Sequence, residues 1–204
     1  MSTLLSRFDY VALPPLTGAL EEDVRALLLA NGKPKTFAHV SEVAEVCSSL
    51  ASRFGLDAEV CAAAALLHDI SAVISPSDML TYARERGLEL CESELRYPFL
   101  LHQRLSRIAA AEHFGVTDSR VLSAIECHTT LRANASECDM ALFIADKLAW
   151  DREGVPPFYD SVSAALDRGL AAACLDYMTY MEASGELLCP HTNWTLAHDL
   201  LRNN

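Results

Sequence analysis

Long apolar runs are missing from this chain. None of its 204 residues belongs to a stretch near the roughly 20 that span a bilayer, which argues against a membrane-embedded protein. Cations are scarce too. Lys and Arg number 16 against 28 Asp and Glu, a net charge of −12. So acidic a chain repels a polyphosphate backbone, so nucleic acid is a poor partner for it. An anionic small substrate would need a local cationic feature, and a bound metal is one candidate. No CxxC pair occurs, and the seven cysteines are odd in number. They read as reduced, buried small hydrophobes of a cytoplasmic protein. The N-terminus lacks a basic segment followed by a long apolar one, so no signal peptide is expected. Runs of strict alternation long enough for a sheet are absent, as are repeats and low-complexity segments.

What is present is helical periodicity. Val40, Val43, Ala44, Cys47, Leu50, Ala51 and Phe54 follow a 3.6 period that Gly55 closes. Asp57 is placed to cap the next helix, which carries "AEVCAAAALLHDI". In "SPSDMLTYARERG", Ser75 caps, Pro76 opens the first turn and Gly87 stops the helix. Further helices are expected from His102 to Phe114, after Thr117 or Asp118, from Ser136 to Trp150, from Phe158 to Arg168, from Leu170 to Ser184, and from Thr192. The break is "REGVPP". The expected fold class is all-α: an irregular arm over residues 1–16, then one helical domain over 17–204.

Several polar residues interrupt the apolar faces. "ALLHDI" places His68 and Asp69 directly after a buried stretch, and a buried carboxylate costs several kcal/mol unless cations or strong donors compensate it (about 3–5 kcal/mol). His39 shares a side with Val43 and Val46. His102 follows "FLL". His128 lies in line with Val121, Ala124 and Ile125. Asp146 sits among Leu142, Ala145 and Ala149. A single His on an apolar face is ordinarily a hydrogen-bonded core residue. Six such groups spread over several helices are how a helical bundle builds a metal site. Four imidazoles and two carboxylates suit iron, manganese, nickel or zinc. A second "HD" pair, His198-Asp199, lies close to the chain end where a buried site is hard to build, so the dipeptide alone is weak evidence. His113 is expected in solvent, and His191 in a structural role.

The ordered set His39, His68-Asp69, His102, His128 and Asp146 resembles the HD-domain superfamily of metal-dependent phosphohydrolases. The two extra His residues, His102 and His128, resemble the pattern of its binuclear members. The surrounding "FAHV", "AALLHD", "LLH", "CHTT" with Arg132 and "IAD" with Arg152 look like the YqeK family over about Leu20 to Leu201. That family consists of symmetrical diadenosine tetraphosphate hydrolases that use two irons. The resemblance implies a helical bundle with a central metal site. One metal would take His39, His68 and Asp146, the other His102 and His128, with Asp69 bridging. A hydroxide shared by the two metals would be the nucleophile. The chain departs from the family pattern at Thr36, Ala72, Gln103-Arg104, Leu131 and Ala149-Trp150, where Arg, Lys, Gly-Pro, Gly and Glu-Pro are usual. All six ligand positions are kept.

Lys35, Thr129, Arg132, Lys147 and Arg152 are candidates for holding phosphates. The implied substrate is a dinucleoside polyphosphate or another nucleotide. Two other functions fit the same residues: an HD nucleotidase acting on nucleoside mono- or diphosphates, and a nucleotide-binding module without turnover. The oligomeric state, a homodimer included, is left open by the sequence.

Overall fold

The computed structural model describes residues 3–150 and 153–203. Among them are eleven α-helices and no strand. In chain order these are α1 (Leu20–Ala30), α2 (Pro34–Phe54), α3 (Ala58–Leu67), α4 (Pro76–Glu85), α5 (Glu92–Arg96), α6 (His102–Glu112), α7 (Ser119–Cys127), α8 (Glu137–Leu148), α9 (Tyr159–Ala165), α10 (Leu170–Ser184) and α11 (Thr192–Arg202). No single helix among them is long and apolar enough to cross a membrane.

The starts follow from side-chain caps. Asp57 accepts hydrogen bonds from the Glu59 and Val60 amides, Ser75 from Asp78, Asp118 from Arg120 and Ser136 from Asp139. Each satisfies amides that the first helical turn cannot. Gly55, at φ 68°, takes the left-handed conformation that ends α2. Neither α1 nor the five-residue α5 is among the helices expected from the sequence: α1 is held by Val24, Leu27 and Leu28 in the core, and α5 by Glu94, which accepts from the Cys91 amide at 3.0 Å. The chain from Phe158 to Arg168 divides into α9 and a 3-10 turn over Leu166–Arg168.

α3 is apolar around most of its circumference, and Val60, Cys61, Ala64, Ala65, Leu66 and Leu67 are all buried. A helix of that kind belongs inside a bundle. It packs on α2, α7 and α8, and these four elements frame the interior. α10 lies across α8 with α9 and α11 beside it. Residues before α1 are irregular apart from a 3-10 turn over Leu5–Arg7, yet Leu4, Leu5 and Val11 are buried in the common core. Each such side chain contributes about 1.5–3 kcal/mol when fully removed from water.

Candidate metal centre

α3 stops at Leu67, and His68 and Asp69 form the corner before a 3-10 turn over Ile70–Val73. That corner is pinned to α6. Ser71 Oγ donates to the His102 carbonyl (2.9 Å), and the Ser71 amide donates to Ser106 Oγ (3.1 Å). His102 is the first residue of α6, His128 follows the last residue of α7, and His39 and Asp146 lie within α2 and α8. Four imidazoles and two carboxylates therefore arrive from five helices and one turn, mostly at helix ends, where backbone carbonyls face the rings.

The structure brings all six together. His39 Nε2 lies 3.0 Å from Asp146 Oδ1, and His68 Nε2 lies 3.7 Å from both Asp146 Oδ1 and Asp69 Oδ2. Asp69 Oδ1 is 3.4 Å from His102 Nε2 and 3.6 Å from His128 Nε2. Two groups of potential ligand atoms result, His39–His68–Asp146 and His68–Asp69–His128.

Three of the rings have a fixed tautomer. His68 Nδ1 faces the Ala65 carbonyl at 2.6 Å, His102 Nδ1 the Phe99 carbonyl at 2.6 Å, and His128 Nδ1 the Ile125 carbonyl at 2.8 Å. A carbonyl only accepts, so each Nδ1 carries the proton and each neutral ring turns a lone pair at Nε2 inward. His68 Nε2 is buried and has no hydrogen-bond partner. His102 Nε2 and His128 Nε2 approach to 2.9 Å. Two lone pairs at that distance repel each other. Two imidazole nitrogens bound at right angles to one ion, with bonds of about 2.0–2.1 Å, sit about 3 Å apart. The donor set therefore fits a divalent transition metal.

The electrostatics agree. Burial pushes the His128 imidazole down to about 4, and the neighbouring Asp69 does not restore it. Burial alone would raise the Asp69 carboxyl, and positive charge on His68, His128 and His102 holds it well below the usual carboxylate range; with those rings neutral, an ion in the centre is what would supply that charge. Asp146 is likewise depressed against its burial, chiefly by Lys147 and His39. Lys147 Nζ bonds Asp146 Oδ2 and lies 3.5 Å from the His128 carbonyl.

The ligands open onto a cavity of about 390 Å³ whose wall includes Thr129, Lys147, Phe99, Trp150, Phe158 and Tyr177. Thr129 Oγ1 lies 3.0 Å from His102 Nε2. Two further cavities flank it. One, of about 620 Å³, shares Asp69, His102 and Phe99 and adds Tyr10, Lys33 and Ala72. The other, of about 340 Å³, shares Phe99, Thr129, Lys147 and Tyr177 and adds Tyr97 and Trp194. Among the candidate phosphate contacts, Thr129 and Lys147 stand at the centre. Lys35 is exposed on α2, one turn before His39. Arg152 lies outside the described residues. Arg132 faces elsewhere: it bonds Ser123 Oγ and buried Asp139 (3.0 Å) and lines a separate cavity of about 470 Å³. Gln103, in place of the usual Gly, is buried and joins α6 to the turn after α7 through Thr130 Oγ1 (3.1 Å) and the Thr129 amide (3.2 Å). Phe99, Tyr177 and Lys33 were not legible as site residues, because nothing in their local sequence distinguishes them from packing or surface positions.

Other polar clusters differ in kind. Cys91, Glu94 and His191 also bring ligand atoms together. There, however, His191 Nδ1 accepts the Asn193 amide at 3.1 Å, so the neutral ring keeps its proton on Nε2, facing Glu94 at 3.7 Å. That nitrogen is a donor, and His191 caps α11. His198 is buried rather than peripheral, with Nδ1 2.9 Å from Glu182 and Nε2 3.3 Å from Thr179 Oγ1. His113 is half-buried rather than solvated. Cys47, Cys61, Cys127 and Cys174 are buried and unpaired in disulfides, whereas Cys91, Cys138 and Cys189 are half-buried.

A family model described as the HD domain matches residues 36–151, a span that contains all six residues of the centre. The chain is 41% identical over 122 residues to an uncharacterized protein in the pepC 5′ region of Lactococcus lactis subsp. cremoris; the match covers 60% of this chain and 63% of that protein, so it spans just under two thirds of the relative's length. It is 26% identical over 160 residues to a Halalkalibacterium halodurans protein described as bis(5'-nucleosyl)-tetraphosphatase, symmetrical, covering 76% of this chain and 84% of that one. Among solved structures, a predicted HD superfamily hydrolase involved in NAD metabolism from Clostridium acetobutylicum superposes with a TM-score of 0.81 at 28% identity, over 89% of this chain and 96% of that one.

Proposed function

The chain belongs to the HD-domain family of phosphohydrolases, and we propose that its reaction is the symmetrical hydrolysis of diadenosine tetraphosphate at a centre of two divalent transition-metal ions, iron being the metal that the resemblance implies. The observation that carries the metal centre in this reading is the pair of inward lone pairs on His102 and His128, 2.9 Å apart with Asp69 Oδ1 beside both, and the substrate follows the symmetrical tetraphosphatase that the chain is similar to. With both rings neutral, a cation between them relieves the repulsion. His39, His68 and Asp146 would hold one ion, His102 and His128 the other, and Asp69 both.

When bound, two such ions lower the pKa of a shared water and offset charge on phosphate oxygens. The chain's own residues do the rest. The carbonyls of Ala65, Phe99 and Ile125 hold three rings in the ligating tautomer. Lys147 keeps Asp146 ionised and adds positive charge to the cavity wall. Thr129 presents its hydroxyl to a phosphate oxygen. Lys35 and Arg152 are assigned to the outer phosphates, and Arg132 to the support of Asp139. Water adds across the central phosphoanhydride: its oxygen goes to one inner phosphorus, and the bond from that phosphorus to the bridging oxygen breaks. Two molecules of ADP leave. The two cavities that share lining residues with the centre would take the two nucleoside arms.

The test is chromatography of the products from diadenosine tetraphosphate with the metal-loaded protein. ADP as the sole nucleotide product is expected. Equal AMP and ATP, or turnover of nucleoside monophosphates alone, would overturn the reading.

A further inference from the structure

The segment before α1 lies outside the residues matched by the family model, yet it reaches the centre. Its course is fixed at several points. Leu4, Leu5 and Val11 are buried. The Leu4 amide donates to Glu112 at 2.6 Å, and Arg7 pairs with Glu85 at 2.8 Å. The Ala12 amide donates to Asn31 Oδ1, and Asn31 Nδ2 donates back to the Ala12 carbonyl, both at 2.8 Å. Between these anchors stands Tyr10. Its hydroxyl donates to Asp78 Oδ2 at 2.6 Å and accepts from the Ser75 amide at 3.2 Å.

The hydroxyl is thus tethered while the ring is left 56% exposed. Across the same cavity Phe99 is 52% exposed. Tyr10 packs beside Phe8 at 5.8 Å between ring centroids, and Phe99 lies nearly parallel to the His102 ring at 6.4 Å, yet both rings keep about half of their surface open at the cavity. They are what a planar heterocycle stacks on, and such stacking contributes about 1–3 kcal/mol per base. The remaining wall is apolar, through Val73, Ile74 and Met79, and Lys33 is its cation among the described residues. The floor is Asp69 and His102, members of the metal centre. These groups suit a ligand that carries both a flat base and an anion.

Resting on the function proposed above, we propose that the N-terminal arm completes a nucleoside-phosphate subsite, with Tyr10 and Phe99 gripping the base and Lys33 a phosphate oxygen. The arm then determines selectivity for base-bearing polyphosphates over bare ones. Calorimetric titration of the full-length, metal-loaded protein with ADP and with inorganic pyrophosphate separates the two contributions. Tyr10→Ala should weaken ADP binding by at least about fivefold and leave pyrophosphate binding as it was. Tyr10→Phe, which keeps the ring, should fall much closer to the parent protein. Lys33→Met should weaken both ligands. Equal losses of ADP and pyrophosphate in Tyr10→Ala, or no loss of ADP, would overturn the proposal. If the parent protein cleaves diadenosine tetraphosphate while Tyr10→Ala binds ADP normally, this inference alone fails. If the parent binds neither ligand, the proposed function fails with it.

Discussion

His102 Nε2 and His128 Nε2 lie 2.9 Å apart, and the other nitrogen of each ring faces a backbone carbonyl. Neither inward nitrogen has a proton to share when both rings are neutral, so the pair is repulsive until a cation enters. Removal of metal by a chelator should therefore lower the melting temperature, and metal added back should restore it. Binding at 100 times the dissociation constant stabilises by about 2.7 kcal/mol per site. In a domain of this size that is about 5–10 °C. A melting temperature indifferent to chelator would mean that the rings are satisfied without an ion.

The two "HD" pairs separate composition from geometry. His102→Ala removes one ligand from one side of the centre, so the protein should keep an ion near His39, His68 and Asp146 and lose most turnover. His198→Ala should leave metal content and turnover intact. It should still lower stability by about 1–3 kcal/mol, because His198 is buried against Glu182 and Thr179. Metal analysis beside thermal melts would show both effects, and loss of metal in the His198 variant would contradict the assignment.

Leu131 occupies a position with φ 53°, where an L side chain is strained by about 1–2 kcal/mol. It is nonetheless 1% exposed, in the core, so burial outweighs the strain. Leu131→Ala should cost about 2–5 kcal/mol. Leu131→Gly should be no worse than Ala, although in ordinary backbone Gly is worse by about 0.5–1 kcal/mol. Chemical denaturation of the two variants decides it; Gly clearly below Ala would show that the backbone there is unstrained.

Arg132 is set against Asp139, a fully buried carboxylate that also accepts from the Ser136 amide. Arg132→Met should destabilise by about 1–3 kcal/mol, since a buried carboxylate loses its cationic partner and keeps only the Ser136 amide and Ser123 hydroxyl, and should leave KM for nucleotide unchanged. A raised KM with an unchanged melting curve would place Arg132 on the substrate.

Most helices of this fold, though not α1 or α5, were legible because caps and periodicity are local: Asp57, Ser75, Asp118 and Ser136 act within one turn of themselves. The six residues of the centre stood out as polar groups on apolar faces, and their order along the chain matched a known pattern. Their tautomers did not stand out, since Ala65, Phe99 and Ile125 act through carbonyls that every residue possesses. Tyr10 and Lys33 were equally silent. They reach the centre through the path of the N-terminal arm, and that path is set by Leu4, Leu5 and Asn31 rather than by any motif. Arg132 was legible as a cation after "HTT" but not as the partner of Asp139, seven residues further on.

Asp69 faces His68, His102 and His128 at 3.4–3.7 Å, so the account stands or falls with its carboxylate. The direct measurement is elemental analysis of the purified parent and Asp69→Ala proteins, prepared side by side without oxygen. The parent should hold about two transition-metal ions per chain. Asp69→Ala should lose most of both, since even changes beyond the ligands themselves cost roughly 10–100-fold in metal affinity. Equal metal content in the two proteins, or none in either after reconstitution, would contradict a shared carboxylate at a metal centre.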